Sequence, residues 1–193
     1  MRGLSTVRIE RRECSLDIKV RLAYLIASYN DILVGECYEF DDRIPILLQA
    51  AEGKRLSVIG HNITVKLTDT ETAGNAFVFE DVCPPGVGVP PHVHQREDEI
   101  LAVLEGEFEL FLDGKTFTAS EGAIANFPRF VPHGFWNRTQ QPARALFVVT
   151  PGGSFAKFFD ELSALPSSVP PDPATVAKIF GRYGMEILAP QPA

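Results

Sequence analysis

The sequence is short of several residue types, and each shortage excludes a class of protein. Its 193 residues include three cysteines, Cys14, Cys37 and Cys83, and no Cys-x-x-Cys pair. This odd number is typical neither of a disulfide framework nor of a zinc knuckle, so a reducing, cytoplasmic environment fits best. The 18 Lys and Arg are outnumbered by 25 Asp and Glu, which gives a net charge of −7. Because proteins bind nucleic acids through clustered basic residues, a DNA or RNA partner is not expected.

Long apolar runs are also missing. Residues 1–13 lack the apolar segment of a signal peptide. The most apolar early stretch, residues 18–34, is interrupted by Lys19, Arg21 and Asp31, which makes it too charged to span a bilayer. With 45% hydrophobic residues, the chain predicts one compact domain with some elaboration and no membrane partner.

Histidine is scarce as well, and three of the four histidines lie in segments that indicate a metal site. His92 and His94 are two residues apart, so in an extended strand both side chains point to the same face. Glu99 opens the next apolar run after the polar segment 95–98, which is suited to a turn. We expect a hairpin there that brings the Glu99 carboxylate back over the two imidazoles.

Two motifs surround these residues. The first places glycine, His-x-His, glutamate and glycine at fixed intervals and is filled by Gly86, His92, His94, Glu99 and Gly106. The second places glycine, proline, histidine and asparagine and is filled by Gly122, Pro128, His133 and Asn137. On these motifs, over roughly residues 55–152, the chain resembles the cupin family. Phe130 stands where that family usually has a glycine, and a bulky residue tolerates a positive φ poorly.

The resemblance implies that His92, His94, Glu99 and His133 bind one divalent metal ion per chain. Such ligands suit Fe, Mn, Ni, Co, Cu and Zn, and the sequence does not select one of them. Three imidazoles and one carboxylate leave coordination positions open, which is typical of a catalytic site. The fourth histidine, His61, has no partner at ligand spacing, and we interpret it as an ordinary residue of a loop or strand end.

Short runs rich in β-branched and aromatic residues follow one another from Leu56 for nearly a hundred residues. The Asp113-Gly114 dipeptide predicts a type I′ hairpin turn, because it tolerates the positive φ angles that this turn needs. Residues 143–150 supply a late, largely buried strand. Many short strands without helical crossovers predict a mainly all-β protein with a closed architecture. The resemblance implies a cupin jelly-roll barrel, or double-stranded β-helix, over residues 55–152.

Two segments flank this barrel. In the N-terminal extension, residues 1–54, apolar residues from Ile18 to Tyr29 recur at helical spacing. Such a helix would pack on its own barrel or pair with a second subunit in a homodimer; otherwise the segment contributes little to the fold. It carries at least as many acidic as basic residues, which argues against a DNA-binding helix.

The C-terminal segment, residues 153–193, changes to a helical period. Phe155, Phe158, Phe159 and Leu162 form one stripe, which we interpret as packing against the barrel. Asp172-Pro173 then predicts the start of a second helix that ends before Gly184.

A cupin domain followed by a Phe-rich helix resembles the quercetin 2,3-dioxygenase-like monocupins. The resemblance implies oxygenation of an aromatic or enolisable small-molecule substrate, with Glu99 as the catalytic group that accepts the substrate proton. By strand parity, Leu101 and Val103 share the face of Glu99, and Phe135 shares that of His133; with Phe127 they are the pocket candidates.

Two alternatives to a dioxygenase stay open. One is a metal-dependent isomerase or epimerase, for which Arg129 is the basic residue close in sequence to the predicted site. The other is a non-catalytic cupin that binds a metal and a small molecule.

Overall fold

The computed structural model describes residues 45–166 and 171–188, so the helix predicted around residues 18–29 lies outside the described residues. The chain divides into a unit of residues 1–47 and a unit of residues 48–193, and every element described below belongs to the second unit. Most of these elements are β-strands, as the sequence predicts.

The strands form two antiparallel sheets. In spatial order, the six-stranded sheet contains β1 (Lys54–Val58), β2 (His61–Leu67), β3 (Phe77–Cys83), β10 (Ala143–Thr150), β5 (Asp98–Glu105) and β8 (Ile124–Phe127). The five-stranded sheet contains β11 (Met185–Ile187), β4 (Gly88–His94), β9 (His133–Trp136), β6 (Glu107–Leu112) and β7 (Lys115–Ser120). From β3 onward the chain passes repeatedly from one sheet to the other, with only β6 and β7 following each other in the same sheet, which is the arrangement of a jelly roll.

The core lies on the inward faces of these sheets. Burial alternates along β10 without interruption, so that every second side chain points inward. The ring of Phe147 in β10 stacks on that of Phe79 in β3, with centroids 4.7 Å apart and planes inclined by 3°. Burying each such side chain contributes about 2 kcal/mol of hydrophobic free energy, which is why these short strands form a stable sandwich.

The hairpin predicted at Asp113-Gly114 is confirmed. It joins β6 to β7, which pair from Leu112 with Lys115 outward. Asp113 has φ 44° and Gly114 has φ 81°, the positive values that a type I′ turn requires.

The turn at residues 95–97 differs from the predicted hairpin. β4 before it and β5 after it belong to different sheets, so the two strands do not pair with each other. β4 pairs instead with β9 and β11, and β5 pairs with β10 and β8. The prediction of a hairpin was wrong because a short polar turn looks the same in sequence whether the chain pairs back on itself or crosses to a second sheet.

Three helices complete the described part of the chain: α1 (Asp69–Thr72), α2 (Phe155–Ser163) and α3 (Pro173–Arg182). The predicted apolar stripe of α2 is confirmed, since all four of its residues are buried. The predicted start of α3 is confirmed as well, because the Asp172 side chain accepts a hydrogen bond from the Thr175 amide at 3.0 Å. None of these helices has the length and apolarity to cross a membrane.

Candidate metal centre and adjoining cavity

Three histidines converge inside the sandwich, two from β4 and one from β9. His92 and His133 are partners in the register of these two strands, and His94 lies on the same face of β4 as His92. The Nε2 atoms of His92 and His94 are 3.1 Å apart. One ligand atom from each histidine lies within 4.8 Å of the other two, and all three residues are buried. A single ion could therefore contact all three rings.

Backbone carbonyls orient two of the imidazoles. His92 Nδ1 is 3.0 Å from the Pro90 carbonyl oxygen, and His133 Nδ1 is 2.9 Å from that of Val131. A nitrogen that faces a carbonyl must carry the proton, which leaves the lone pair of each ring on Nε2. His133 Nε2 is buried without a hydrogen-bond partner among the described residues. These are the features of imidazoles prepared to bind a cation.

Burial also keeps the three imidazoles neutral. The pKa of His94 falls to about 3, because burial penalises its charged form and because His133 lies close. The pKa values of His92 and His133 shift in the same direction, again mainly through burial.

The spacing of the nitrogens also fits one ion. Two nitrogens bound to one ion at about 2.1 Å and at a right angle would be about 3 Å apart, close to the separation of the Nε2 atoms of His92 and His94. The group thus offers lone pairs without positive charge, in a suitable spacing.

Glu99 approaches the histidines from the other sheet. Its Oε2 atom is 3.8 Å from His94 Nε2, and the carboxylate is buried. Burial raises the pKa of Glu99 to about 8, because an apolar environment penalises the charged form. A cation held by the histidines would remove that penalty, so the four residues predicted from the motifs form a chemically consistent ligand set for a divalent ion.

The turn before His133 keeps a left-handed conformation without the usual glycine. Phe130 has φ 66°, and its amide donates a hydrogen bond to the His94 carbonyl at 2.8 Å. A side chain in this region costs about 1–2 kcal/mol. The hydrogen bond from Phe130 to His94 therefore connects the second motif to the first. A glycine at position 130 could make the same hydrogen bond without the strain.

A cavity of about 700 Å³ adjoins this group, and His92, His94 and Glu99 line it. Seven phenylalanines of the described part of the chain line it: Phe79, Phe135, Phe147, Phe155, Phe158, Phe159 and Phe180. Phe155 from α2 contacts the His94 ring and Phe180 from α3 contacts the His92 ring, with centroids 5.6 and 5.8 Å apart. The stripe of α2, interpreted from sequence as packing alone, is therefore also a wall of the cavity. Such walls suit a flat, apolar ligand.

Of the four residues predicted to form a pocket, Phe135 lines this cavity and the other three do not. Leu101 and Val103 are buried on the inward face of β5, in the core outside the cavity lining. Phe127 stacks on the His133 ring, with centroids 4.6 Å apart. The correction has a simple reason: strand parity fixes the face to which a side chain points, but not how far along the strand a cavity extends.

Arg129, the basic residue close to the site in sequence, is engaged elsewhere. Its guanidinium donates to both carboxylate oxygens of Asp98, at 3.0 and 2.8 Å, and both side chains are partly exposed. Among the described residues, neither Arg129 nor any other Lys or Arg lines the cavity.

Two residues that the sequence interpretation left out of the site line the same cavity. His61 is the first residue of β2, as expected for a strand end, but it is buried and its Nδ1 atom is 2.7 Å from Asp81 Oδ2 in β3. One signal for Asp81 exists in the sequence: it alternates with Phe77 and Phe79 on one strand, which places a carboxylate on the inward, apolar face.

Comparisons with known proteins agree with this geometry. A family model described as the cupin domain matches residues 79–149, a range that contains all the motif positions. The chain is similar to quercetin 2,3-dioxygenase of Bacillus subtilis (strain 168), with 29% identity over 119 residues that cover 61% of this chain and 34% of that protein. It is also similar to probable germin-like protein subfamily 2 member 5 of Arabidopsis thaliana, with 31% identity over 137 residues that cover 68% of this chain and 56% of that protein.

Among solved structures, the polyketide cyclase RemF from Streptomyces resistomycificus superimposes with a TM-score of 0.50 and 26% identity, over 55% of this chain and 80% of that one. The chain spans about a third of the length of the dioxygenase and a little over half that of the germin-like protein.

Proposed function

We propose that this chain, whose residues 79–149 match the cupin domain, is a metal-dependent dioxygenase that acts on an aromatic or enolisable small molecule. The observation that carries the proposal is the convergence of three buried histidines, with Glu99 beside His94, at a cavity lined by phenylalanine rings. The similarity to quercetin 2,3-dioxygenase supports the substrate class.

The proposed ligands are His92, His94, Glu99 and His133. A divalent ion held there, of Fe, Mn, Ni, Co, Cu or Zn, would supply Lewis acidity toward a substrate oxygen. The four side chains leave part of the coordination sphere free for small molecules, which distinguishes a catalytic from a structural site.

The chain's own residues would perform the remaining work. The Glu99 carboxylate is the proposed acceptor of the substrate hydroxyl proton, because its Oε2 atom lies 3.8 Å from His94 Nε2, beside the place where a substrate oxygen would meet the ion. Phe155 and Phe180, which contact the imidazoles, would pack on the faces of a flat substrate and exclude water around the reacting atoms.

A second candidate reaction is the cyclisation of an enolisable polyketide without oxygen. It is favoured by the similarity to RemF, which is described as a polyketide cyclase. The same base and the same apolar walls would serve it, since removal of a proton next to a carbonyl is its first requirement. An isomerase of charged sugars is less well supported, because no Lys or Arg among the described residues lines the cavity.

Oxygen uptake separates these functions. The protein would be reconstituted with each of the six metals and mixed with a panel of flavonols and 1,3-diketones in an oxygen electrode, with products analysed by mass spectrometry. We expect oxygen consumption equal to substrate loss and a product that contains both oxygen atoms. Conversion without oxygen uptake would favour the cyclase. Binding without conversion, whatever the metal, would leave a non-catalytic cupin.

The matched control is Glu99→Gln, which is isosteric but cannot accept the proton. We expect it to keep the fold and to lose turnover. If its turnover equals that of the wild type on an identified substrate, Glu99 has no role in the reaction.

A further inference from the structure

The cavity contains a second polar group that the proposed reaction does not use. His61 and Asp81 line it from β2 and β3 of the six-stranded sheet, whereas the three candidate histidine ligands belong to the five-stranded sheet. His61 Nδ1 and Asp81 Oδ2 are 2.7 Å apart. Asp81 is fully buried, and His61 keeps 6% of its surface exposed. The carboxylate is thus the more deeply buried partner, and the imidazole is the partner with accessible surface.

Asp81 orients the His61 ring and is the main group that keeps it charged. Burial by itself would lower the pKa of His61, but hydrogen bonding to Asp81 and Cys83 and the negative charge of Asp81 outweigh it and raise the pKa to about 10. The ring is therefore an imidazolium near neutral pH, with its Nδ1–H donated to Asp81. Because Asp81 occupies Nδ1, Nε2–H is the donor left for a ligand.

The surroundings would strengthen such a hydrogen bond. The His61 and Phe135 rings form a T-shaped contact, with centroids 5.8 Å apart and planes inclined by 74°. Phe135 also packs against Phe147, so the polar pair is set in an aromatic wall. In an apolar cavity a charged donor binds an oxygen more strongly than in water, and it penalises a ligand that leaves it without an acceptor.

We propose that the His61–Asp81 pair is a second binding site of the cavity, which takes an oxygen substituent of the ligand remote from its metal-binding end. The ligand class is a flat aromatic molecule with a phenolic hydroxyl, phenolate or carbonyl oxygen at that remote position. A cavity of about 700 Å³ has room for a molecule of this kind. The inference rests on the proposed function, because that function supplies the aromatic ligand.

A second metal ion is the competing use of this pair. Cys83 completes a group in which one ligand atom each from His61, Asp81 and Cys83 lies within 4.8 Å of the others. The 2.7 Å separation of Nδ1 and Oδ2, however, is that of a hydrogen bond with a proton between the atoms. The Cys83 thiol contacts the Val87 carbonyl at 3.4 Å. A metal ion would have to displace both contacts, so we assign the pair to ligand binding.

The test compares two probes that share one metal-binding group. Quercetin and 3-hydroxyflavone have the same 3-hydroxy-4-keto unit, but only quercetin has hydroxyl groups on the remote parts of the molecule. Affinities for the zinc-loaded full chain would be measured by calorimetry without oxygen, for wild type, His61→Phe and His61→Gln. Phenylalanine keeps a ring and removes the donor, and glutamine keeps a donor.

We expect the wild type to prefer quercetin by about tenfold or more, the size of a hydrogen bond to a charged group. His61→Phe should reduce that preference to within about twofold and leave the affinity for 3-hydroxyflavone nearly unchanged, since the loss then comes only from the remote oxygens. His61→Gln should keep part of the preference, which a merely structural role of His61 does not predict.

Three results would overturn the inference. An equal preference for quercetin in the wild type and both variants overturns it and leaves the proposed function standing. Failure of wild type to bind either probe overturns both together. Two zinc ions per chain in the wild type, reduced to one in Asp81→Asn and Cys83→Ser, would show that the pair binds metal. If His61→Phe does not fold, the comparison of wild type with His61→Gln and Asp81→Asn decides the question.

Discussion

The ring of Phe127 lies parallel to the imidazole of His133, with centroids 4.6 Å apart and planes inclined by 7°. The Val131 carbonyl holds Nδ1 of the same imidazole, so a stacked ring and a hydrogen bond together fix its orientation. We expect Phe127→Leu to keep the fold and to weaken metal binding by about tenfold or more, the usual cost of losing a contact that orients a ligand. Competition with a chromophoric chelator would measure the change.

The control for this prediction is Phe108→Leu. Phe108 is also fully buried, but its ring contacts Phe135 instead of a histidine. It should lose a similar amount of stability while keeping metal affinity. Equal metal affinity in both variants would show that the stacking does not orient His133.

Metal content tests the ligand set itself. Purified wild type should contain about one divalent metal per chain, and His92→Ala or His133→Ala should release it and lower the melting temperature, because metal binding is coupled to folding. His61→Gln is the control and should retain the metal. Elemental analysis that finds the same metal content in the wild type and both alanine variants would contradict the assignment.

Metal binding should release a proton from Glu99. In the folded, metal-free protein the pKa of Glu99 is raised from 4.5 to about 8, so its carboxyl is protonated at pH 7. Its contribution to the free energy of unfolding is therefore largest below pH 4.5 and decreases as the pH rises toward 8. The histidines act in the opposite sense: their pKa values are lowered, so their contribution is present above pH 6.5 and is lost as the pH falls.

At pH 7 the three histidines bind without losing protons, and Glu99 must lose one. Calorimetry in buffers of different ionisation enthalpy should detect about one proton released per metal in the wild type and about none in Glu99→Gln. Equal proton release in the two proteins would show that Glu99 does not bind the metal as a carboxylate.

Phe130 offers a stabilising substitution. Because its φ of 66° lies in the left-handed region and its side chain is 65% exposed, the ring gains little from burial and the backbone is strained. Phe130→Gly should raise the free energy of unfolding by about 0.5–1 kcal/mol, the strain relieved less the entropy that glycine adds to the unfolded chain. Urea unfolding would measure it. Phe130→Ala retains a Cβ and should give no such gain; a gain of equal size would mean that strain is not the cause.

The cavity wall can be tested at Phe135. Phe135→Leu should enlarge the cavity beside His61, weaken the binding of a flat aromatic probe by severalfold and leave metal content intact. Phe108→Leu again is the control, since Phe108 is buried outside the cavity lining. Unchanged probe affinity in Phe135→Leu, with normal metal content, would remove Phe135 from the binding surface.

Local signals in the sequence predict a large part of this structure. Asp113-Gly114 specifies its turn through backbone conformations available to those two residues, and Asp172-Pro173 specifies a helix start through one hydrogen bond and one fixed φ angle. The spacing of His92 and His94 determines that they share a face of one strand. Each of these features depends on residues only a few positions apart.

The remaining features depend on pairing between distant segments. His61 meets Asp81 only because β2 and β3 pair in one particular register, and no spacing along the chain encodes that register. The same holds for β11, whose Met185 pairs with His94 across more than ninety residues. Whether an inward residue lies in a cavity or in solid core, as for Phe135 and Leu101, depends on the packing of both sheets together.

The crossing of the chain between sheets at residues 95–97 gives the candidate metal site a mechanical role. The three histidines belong to one sheet and Glu99 to the other, so an ion bound by all four would join the two sheets across the interior of the sandwich. Cys83, the one cysteine among the described residues, is a free thiol and forms no such link. In a chain so poor in cysteine, the bound ion would resist separation of the sheets as a disulfide does in secreted domains, with the difference that a chelator could release it.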